Sequence, residues 1–79
     1  MLNVTDKKRI GYLSDNLRRT MTVRNMTQEQ LERESGVHQS TISRVLNGKN
    51  DPAVSVVFHL AHALGTSIDV LLSPPAENF

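Results

Sequence analysis

Five polar residues, Gln39, Ser40, Ser43, Arg44 and Asn47, stand at relative offsets of 0, 1, 4, 5 and 8. That spacing puts their side chains on one side of an α-helix. Most are small, uncharged hydrogen-bonding groups. The amide of Gln39 offers one donor and one acceptor, which match N6 and N7 of adenine in a bidentate pair. The Ser40 hydroxyl can donate or accept but discriminates less, and Ser43 is small enough to permit close approach. Arg44 can take O6 and N7 of a guanine, or hold a phosphate. A stripe of this kind can pair with base edges in the major groove of double-stranded DNA, a recognition chemistry in which no bond is made or broken.

Such a stripe works only on a helix presented by a scaffold. Thr27-Gln28-Glu29-Gln30 has the form of a capping box, in which the Thr hydroxyl accepts the N–H of Gln30 and opens a helix. Leu31 is the clearest core residue of that helix. Gly36 stops it by taking the left-handed conformation that a sharp turn needs, and Val37 tucks beneath the turn. The next helix covers 39–46, with Ile42, Val45 and Leu46 inward, and Asn47-Gly48 ends it. Lys49, Asn50 and Asp51 form a polar loop closed by Pro52.

The remaining elements supply the core. Residues 1–4 read as a loose lead-in. Thr5 or Asn3 can cap a first helix whose apolar residues Ile10, Leu13, Leu17 and Met21 recur every three or four positions. Lys7, Lys8, Arg9, Arg18 and Arg19 lie mostly on its other faces, either as a solvated surface or as phosphate contacts. Asn25 tolerates positive φ and marks the end of that helix. A fourth helix is expected over 53–64, with Val54, Val57, Phe58, Ala61 and Leu64 inward, terminated by Gly65. Ser67 caps a short fifth helix bearing Ile68, Leu71 and Leu72. Ser73-Pro74-Pro75 ends the order. The expectation is an all-α, compact five-helix bundle occupying 1–73 as one domain, with 74–79 a flexible tail or the start of a linker.

Composition narrows the function classes. The chain has 79 residues, a formal net charge of +1 and no cysteine. One small domain is all that this length accommodates. Without cysteine there is neither a disulfide framework nor a cysteine zinc site, which fits a reducing cytoplasm. No apolar run approaches the roughly 18 residues of a membrane span, and no signal peptide is visible. Only Tyr12, Phe58 and Phe79 are aromatic, which disfavours base-stacking platforms for single strands. His59 and His62 stand three apart on a helix, but no HExxH motif or acidic partner accompanies them, so no metal or other cofactor is expected. No catalytic order and no glycine-rich phosphate loop suggests an enzyme.

In order and spacing, Thr27-Gln28, Gly36-Val37, Ser40-Thr41-Ile42-Ser43, Asn47-Gly48, Pro52 and Ala63-Leu64-Gly65 resemble the lambda-repressor-type (Cro/C1, XRE) helix-turn-helix family. The resemblance covers about 13–72. It implies that the helix beginning near Gln39 enters the major groove while the helix beginning at Gln28 crosses the backbone. It further implies that Gln39 contacts an adenine, Ser40 a neighbouring guanine, and that Asn50 reaches DNA from the loop. Gln28, at a helix N-terminus, suits a phosphate. Lys49 and Asn50 are placed to hold the opposite side, and Thr27, His38, Thr41 and Asn47 complete the candidates for backbone contact.

The chain also departs from the family pattern. Glu32 stands where relatives usually carry Ala, at the crossing of the two helices, and must turn to solvent or find a cation; Arg33 and Arg44 are the candidates. If it holds Arg44, that arginine is partly structural. Met21 and Leu46 replace a frequent Arg–Glu pair with an apolar contact, avoiding the desolvation of buried charge. His38 stands in place of the usual Ser or Thr cap and is either a phosphate contact or an exposed turn residue. Val56 and Val70 fall on faces the pattern leaves polar. Since the fifth helix of the family often builds a two-fold dimer, Val70 and Leu72 are candidate interface residues.

The expected function is that of a sequence-specific DNA-binding transcriptional regulator, a repressor acting as a homodimer, bacterial or phage-encoded, cytoplasmic and associated with the nucleoid. The near-neutral charge leaves one alternative, a helical protein-interaction module that does not read DNA. Operator, regulated gene and the choice among phage repressor, restriction controller and antitoxin stay open.

Overall fold

A computed structural model describes Val4 and residues 6–75. The expected caps Asn3 and Thr5, the lead-in at 1–3 and the mobile end at 76–79 lie outside the described residues. Five helices form in chain order: α1 (Lys7–Val23), α2 (Gln28–Ser35), α3 (Gln39–Asn47), α4 (Val54–Ala63) and α5 (Ile68–Leu71). The all-α expectation holds.

Local chemistry explains most of the boundaries. Asp6 caps α1, its carboxylate accepting the Lys8 N–H at 2.9 Å. The cap is therefore Asp6 rather than the expected Thr5 or Asn3, an acidic side chain suited to the positive end of the helix dipole. Asn25 takes positive φ after α1, as its side chain permits. The capping box at Thr27 is complete: its hydroxyl accepts the Gln30 N–H at 3.1 Å, and Gln30 Oε1 accepts the Thr27 N–H at 2.8 Å. Gly36, at φ 77°, closes α2 in the left-handed region, where any Cβ would be strained. Ser67 caps α5 through the Val70 N–H.

Leu13, Leu17, Leu31, Ile42, Val45, Val57, Leu60, Leu64 and Leu71 are fully buried in one core. α1 packs on α3 and α5, α2 on α3 and α4, and α4 on α5. Three expectations are corrected here. Leu60 rather than Phe58 faces in; Phe58 is 51% exposed, because the buried side of α4 runs through Val57, Leu60 and Ala61 and on to its C-cap Leu64. Val56 packs partly against the core instead of lying on a polar face. Val4 is no loose lead-in: it is buried, and its N–H donates to the Pro52 carbonyl at 3.0 Å, tying the start of the chain to the loop before α4.

The largest feature missing from the sequence reading is Asn16. Its side-chain amide is buried and donates to the carbonyls of Val70, Leu71 and Ser73 at 3.2, 2.9 and 2.8 Å. The Ile68, Asp69 and Val70 carbonyls find local donors within this short segment, whereas those of Leu71 and Ser73, at and past the C-terminal end of α5, have no local donor, and Asn16 supplies it. The signal was present: Asn16 lies at the i+3 position from Leu13, inside the apolar stripe, where a polar side chain must find a partner.

Asn16→Ala is expected to leave the Leu71 and Ser73 carbonyls short of a donor and to lower unfolding stability by about 1–3 kcal/mol. Urea denaturation followed by circular dichroism measures it; an unchanged midpoint would show that water replaces the amide without penalty.

Candidate nucleic-acid interface

α3 has nine residues, well short of the roughly 12–15 that an isolated helix needs to persist in water. Its inner residues Ile42, Val45 and Leu46 are buried, and its two ends are held by side chains from other helices. At the C-terminal end the carbonyl of Leu46 accepts two bonds, from Ser14 Oγ at 2.5 Å and from Arg18 Nη2 at 2.8 Å. Gly48 follows at φ 68°, close over the Ser14 side chain. At the N-terminal end His38 is the cap residue but makes no side-chain capping bond. Glu32 takes over that role from α2: its Oε2 accepts the Gln39 N–H at 3.0 Å. A carboxylate at the N-terminus and a guanidinium at the C-terminus each match the sign of the helix dipole.

This arrangement resolves the open question about Glu32. Its carboxylate faces the tip of α3 and lies 3.8 Å from His38 Nδ1, and no bond to Arg44 or Arg33 forms. Arg44 is exposed and makes no hydrogen bond or ion pair among the described residues. Arg18 moves the other way. The sequence allows it either a solvated surface or a phosphate contact; in the fold its guanidinium donates to the end of α3.

The outer stripe of α3 is presented as its spacing implied. Gln39, Ser40, Arg44 and Asn47 are exposed and Ser43 is half-buried. No side-chain hydrogen bond engages any of these five within the described structure. Gln28, half-buried at the first position of α2, lines one shallow, open cleft together with Glu32, His38, Gln39, Ser40 and Ser43. The candidate phosphate contact on α2 and the candidate readers on α3 therefore border a single concave surface.

The other backbone candidates divide. Lys49 and His38 are exposed, His38 with 82% of its side chain. Thr41 is half-buried on the first turn of α3. The Thr27 hydroxyl is engaged with Gln30 on both sides of the capping box, through its backbone N–H and its Oε1. Asn50 is half-buried, and its side-chain oxygen lies inside the protein without a partner among the described residues.

Away from this surface, Val70 is 57% exposed and Leu72 half-buried. Met21 and Leu46 are both buried and border the same cleft, as their apolar replacement of a charged pair implied. His59 and His62 flank the Phe58 ring at centroid distances of 5.5 and 6.2 Å. No helix of the described residues is long and apolar enough to cross a membrane.

Comparison with known proteins agrees with this geometry. A family model described as helix-turn-helix matches residues 17–71. The HTH-type transcriptional regulator y4dJ of Sinorhizobium fredii is 34% identical over 65 residues, covering 82% of this chain and 84% of that one. Control protein C.SmaI of Serratia marcescens is 36% identical over 61 residues, covering 77% and 73%. Among solved structures, the hypothetical transcription factor NHTF from Neisseria superposes with a TM-score of 0.77 at 30% identity, covering 89% of this chain and 78% of that one.

Because the Arg18 guanidinium is engaged by the Leu46 carbonyl, Arg18→Ala should lower stability by about 0.5–1.5 kcal/mol. It should leave the salt dependence of any DNA binding unchanged. A salt slope reduced by about 1 would return Arg18 to the phosphate contacts.

Proposed function

This chain belongs to the Cro/C1-type helix-turn-helix family of DNA-binding transcriptional regulators, and we propose that it is a sequence-specific repressor that inserts α3 into the major groove as a homodimer. One observation carries the reading: Gln39, Ser40, Arg44 and Asn47 project unengaged from a helix that is anchored at both ends. Side chains with no partner inside the protein are free to pair with base edges, and a helix with fixed ends presents them at one register.

The contacts then sort by chemistry. Gln39 reads an adenine through its amide and Ser40 reads its neighbour, while Ser43 lets α3 approach closely. Arg44, free of Glu32, takes a guanine edge. Gln28, at the N-terminus of α2, donates to a phosphate on one side of the groove, with His38 and Thr41 beside it. Lys49, Asn47 and Asn50 hold the backbone on the other side, Asn50 through its amide group because its oxygen is turned inward. Thr27 serves mainly as the cap that orients Gln28, since its hydroxyl is engaged.

Val70 and Leu72 form the contact between two copies, with Val70 offering the larger exposed apolar surface. Two recognition helices about 34 Å apart then meet successive major grooves of a near-palindromic operator. The chain's net charge of +1 is no obstacle to this. Arg18 and Arg24 are engaged on protein carbonyls, while Arg44 and Lys49 stand exposed at α3 and just past its end, so the cations that are left unengaged there can meet DNA.

Titration against random duplex DNA at low and moderate salt is the primary test. Binding that weakens steeply with salt is expected; absence of binding at low salt overturns the proposal and leaves a protein-interaction module. Gln39→Ala should relax preference at one base and cost about 1–3 kcal/mol, whereas uniform weakening on all sequences would make Gln39 a positioning residue. Lys49→Ala should weaken binding evenly and reduce the salt slope by about 1. For the dimer, Val70→Glu should shift sedimentation toward the monomer, and an unchanged profile would move the interface elsewhere.

A further inference from the structure

Glu32 is the one acidic side chain bordering the cleft between Gln28 and the readers of α3. Its Oε2 accepts the Gln39 N–H at 3.0 Å, which fixes the carboxylate at the tip of α3. The side chain remains 37% exposed there. The Oε1 atom makes no hydrogen bond within the described structure. The imidazole of His38, 3.8 Å away and 82% exposed, lies in solvent and leaves that oxygen open.

A carboxylate accepts hydrogen bonds and donates none. Placed at the end of a helix that enters the major groove, it can pair only with base edges that present a donor. The groove offers two: the N4 amino group of cytosine and the N6 amino group of adenine. Guanine presents only acceptors at this edge, and phosphates repel the charge, so both are disfavoured. The carboxylate therefore acts by attraction to one class of base and by exclusion of another.

We propose that Glu32 is a specificity-determining residue, a carboxylate pinned to the tip of the recognition helix that selects a base with an exposed amino group, cytosine foremost, next to the position read by Gln39. The same bond orients Gln39, because the N–H it engages is that residue's own. Glu32 thus joins two roles, placing one reader and serving as another. This inference rests on the proposed insertion of α3 into DNA.

The test is selection of bound sites from a random duplex pool with the wild-type protein, Glu32→Gln and Glu32→Ala, together with thermal unfolding of all three. Gln retains an acceptor for the Gln39 N–H and adds a donor, so its preferred base should shift from cytosine toward adenine while its melting temperature stays near wild type. Glu32→Ala should lose preference at that position, by roughly fivefold to tenfold, and melt at a lower temperature. If the wild-type protein enriches a motif and both variants return the same motif unchanged, Glu32 reads nothing and the inference fails alone. If the wild type enriches no motif, the DNA reading fails and takes this one with it.

Discussion

The structure depends on how a nine-residue helix is kept in one place. α3 cannot supply its own stability, and burial of Ile42, Val45 and Leu46 fixes only its inner face. Burial is non-directional, so it permits sliding and rotation that would misplace the readers. Hydrogen bonds at the two ends remove that freedom. Ser14 and Arg18 from α1 converge on the Leu46 carbonyl, and Glu32 from α2 takes the Gln39 N–H. The helix is therefore positioned by directional bonds from two different elements, each of which packs on it.

α1 extends the same device to the rest of the bundle. Beyond its bonds to α3, its Asn16 amide donates to the Leu71 and Ser73 carbonyls at and past the end of α5, and Arg24, just past its last turn, donates to the Leu64 carbonyl at the end of α4 at 3.1 Å. Helix ends otherwise leave carbonyls without partners inside a small protein with little core to compensate. One long helix thus completes three shorter ones. The arrangement also explains why basic residues are poor guides to the DNA-facing surface in this chain. Arg18 and Arg24 are bound to protein carbonyls, while Arg44 and Lys49 are unengaged among the described residues.

Glu32, where the family resemblance leads one to expect Ala, has its role set by its partner. A carboxylate at the crossing of α2 and α3 reads from sequence as a misfit in search of a cation. In the fold it replaces the local cap that His38 does not provide. A backbone N–H satisfies the carboxylate as well as an arginine would, and Arg44 is thereby released to the outer surface. Local misfits at the crossing and at the cap compensate each other, a relation between residues six apart that neither displays alone.

What the sequence determined by itself was everything set by neighbours along the chain. The capping box at Thr27, the left-handed Gly36, the Asn25 turn, the buried side of α3 and its outer stripe all follow from local conformational preference and helical period. Five helices, a helix-turn-helix and a family resemblance were legible at that level. What only the tertiary structure decided was which groups meet once whole helices pack, and so where polar groups send their hydrogen bonds and which apolar side chain faces in. Asn16 to the end of α5, Arg18 to Leu46, Glu32 to Gln39 rather than Arg44, Leu60 inward in place of Phe58, and Val4 against Pro52 belong to this class. The reason is physical: a helical pattern specifies which face is buried, but a donor or acceptor is satisfied by whichever atom the packing of whole helices brings within about 3 Å.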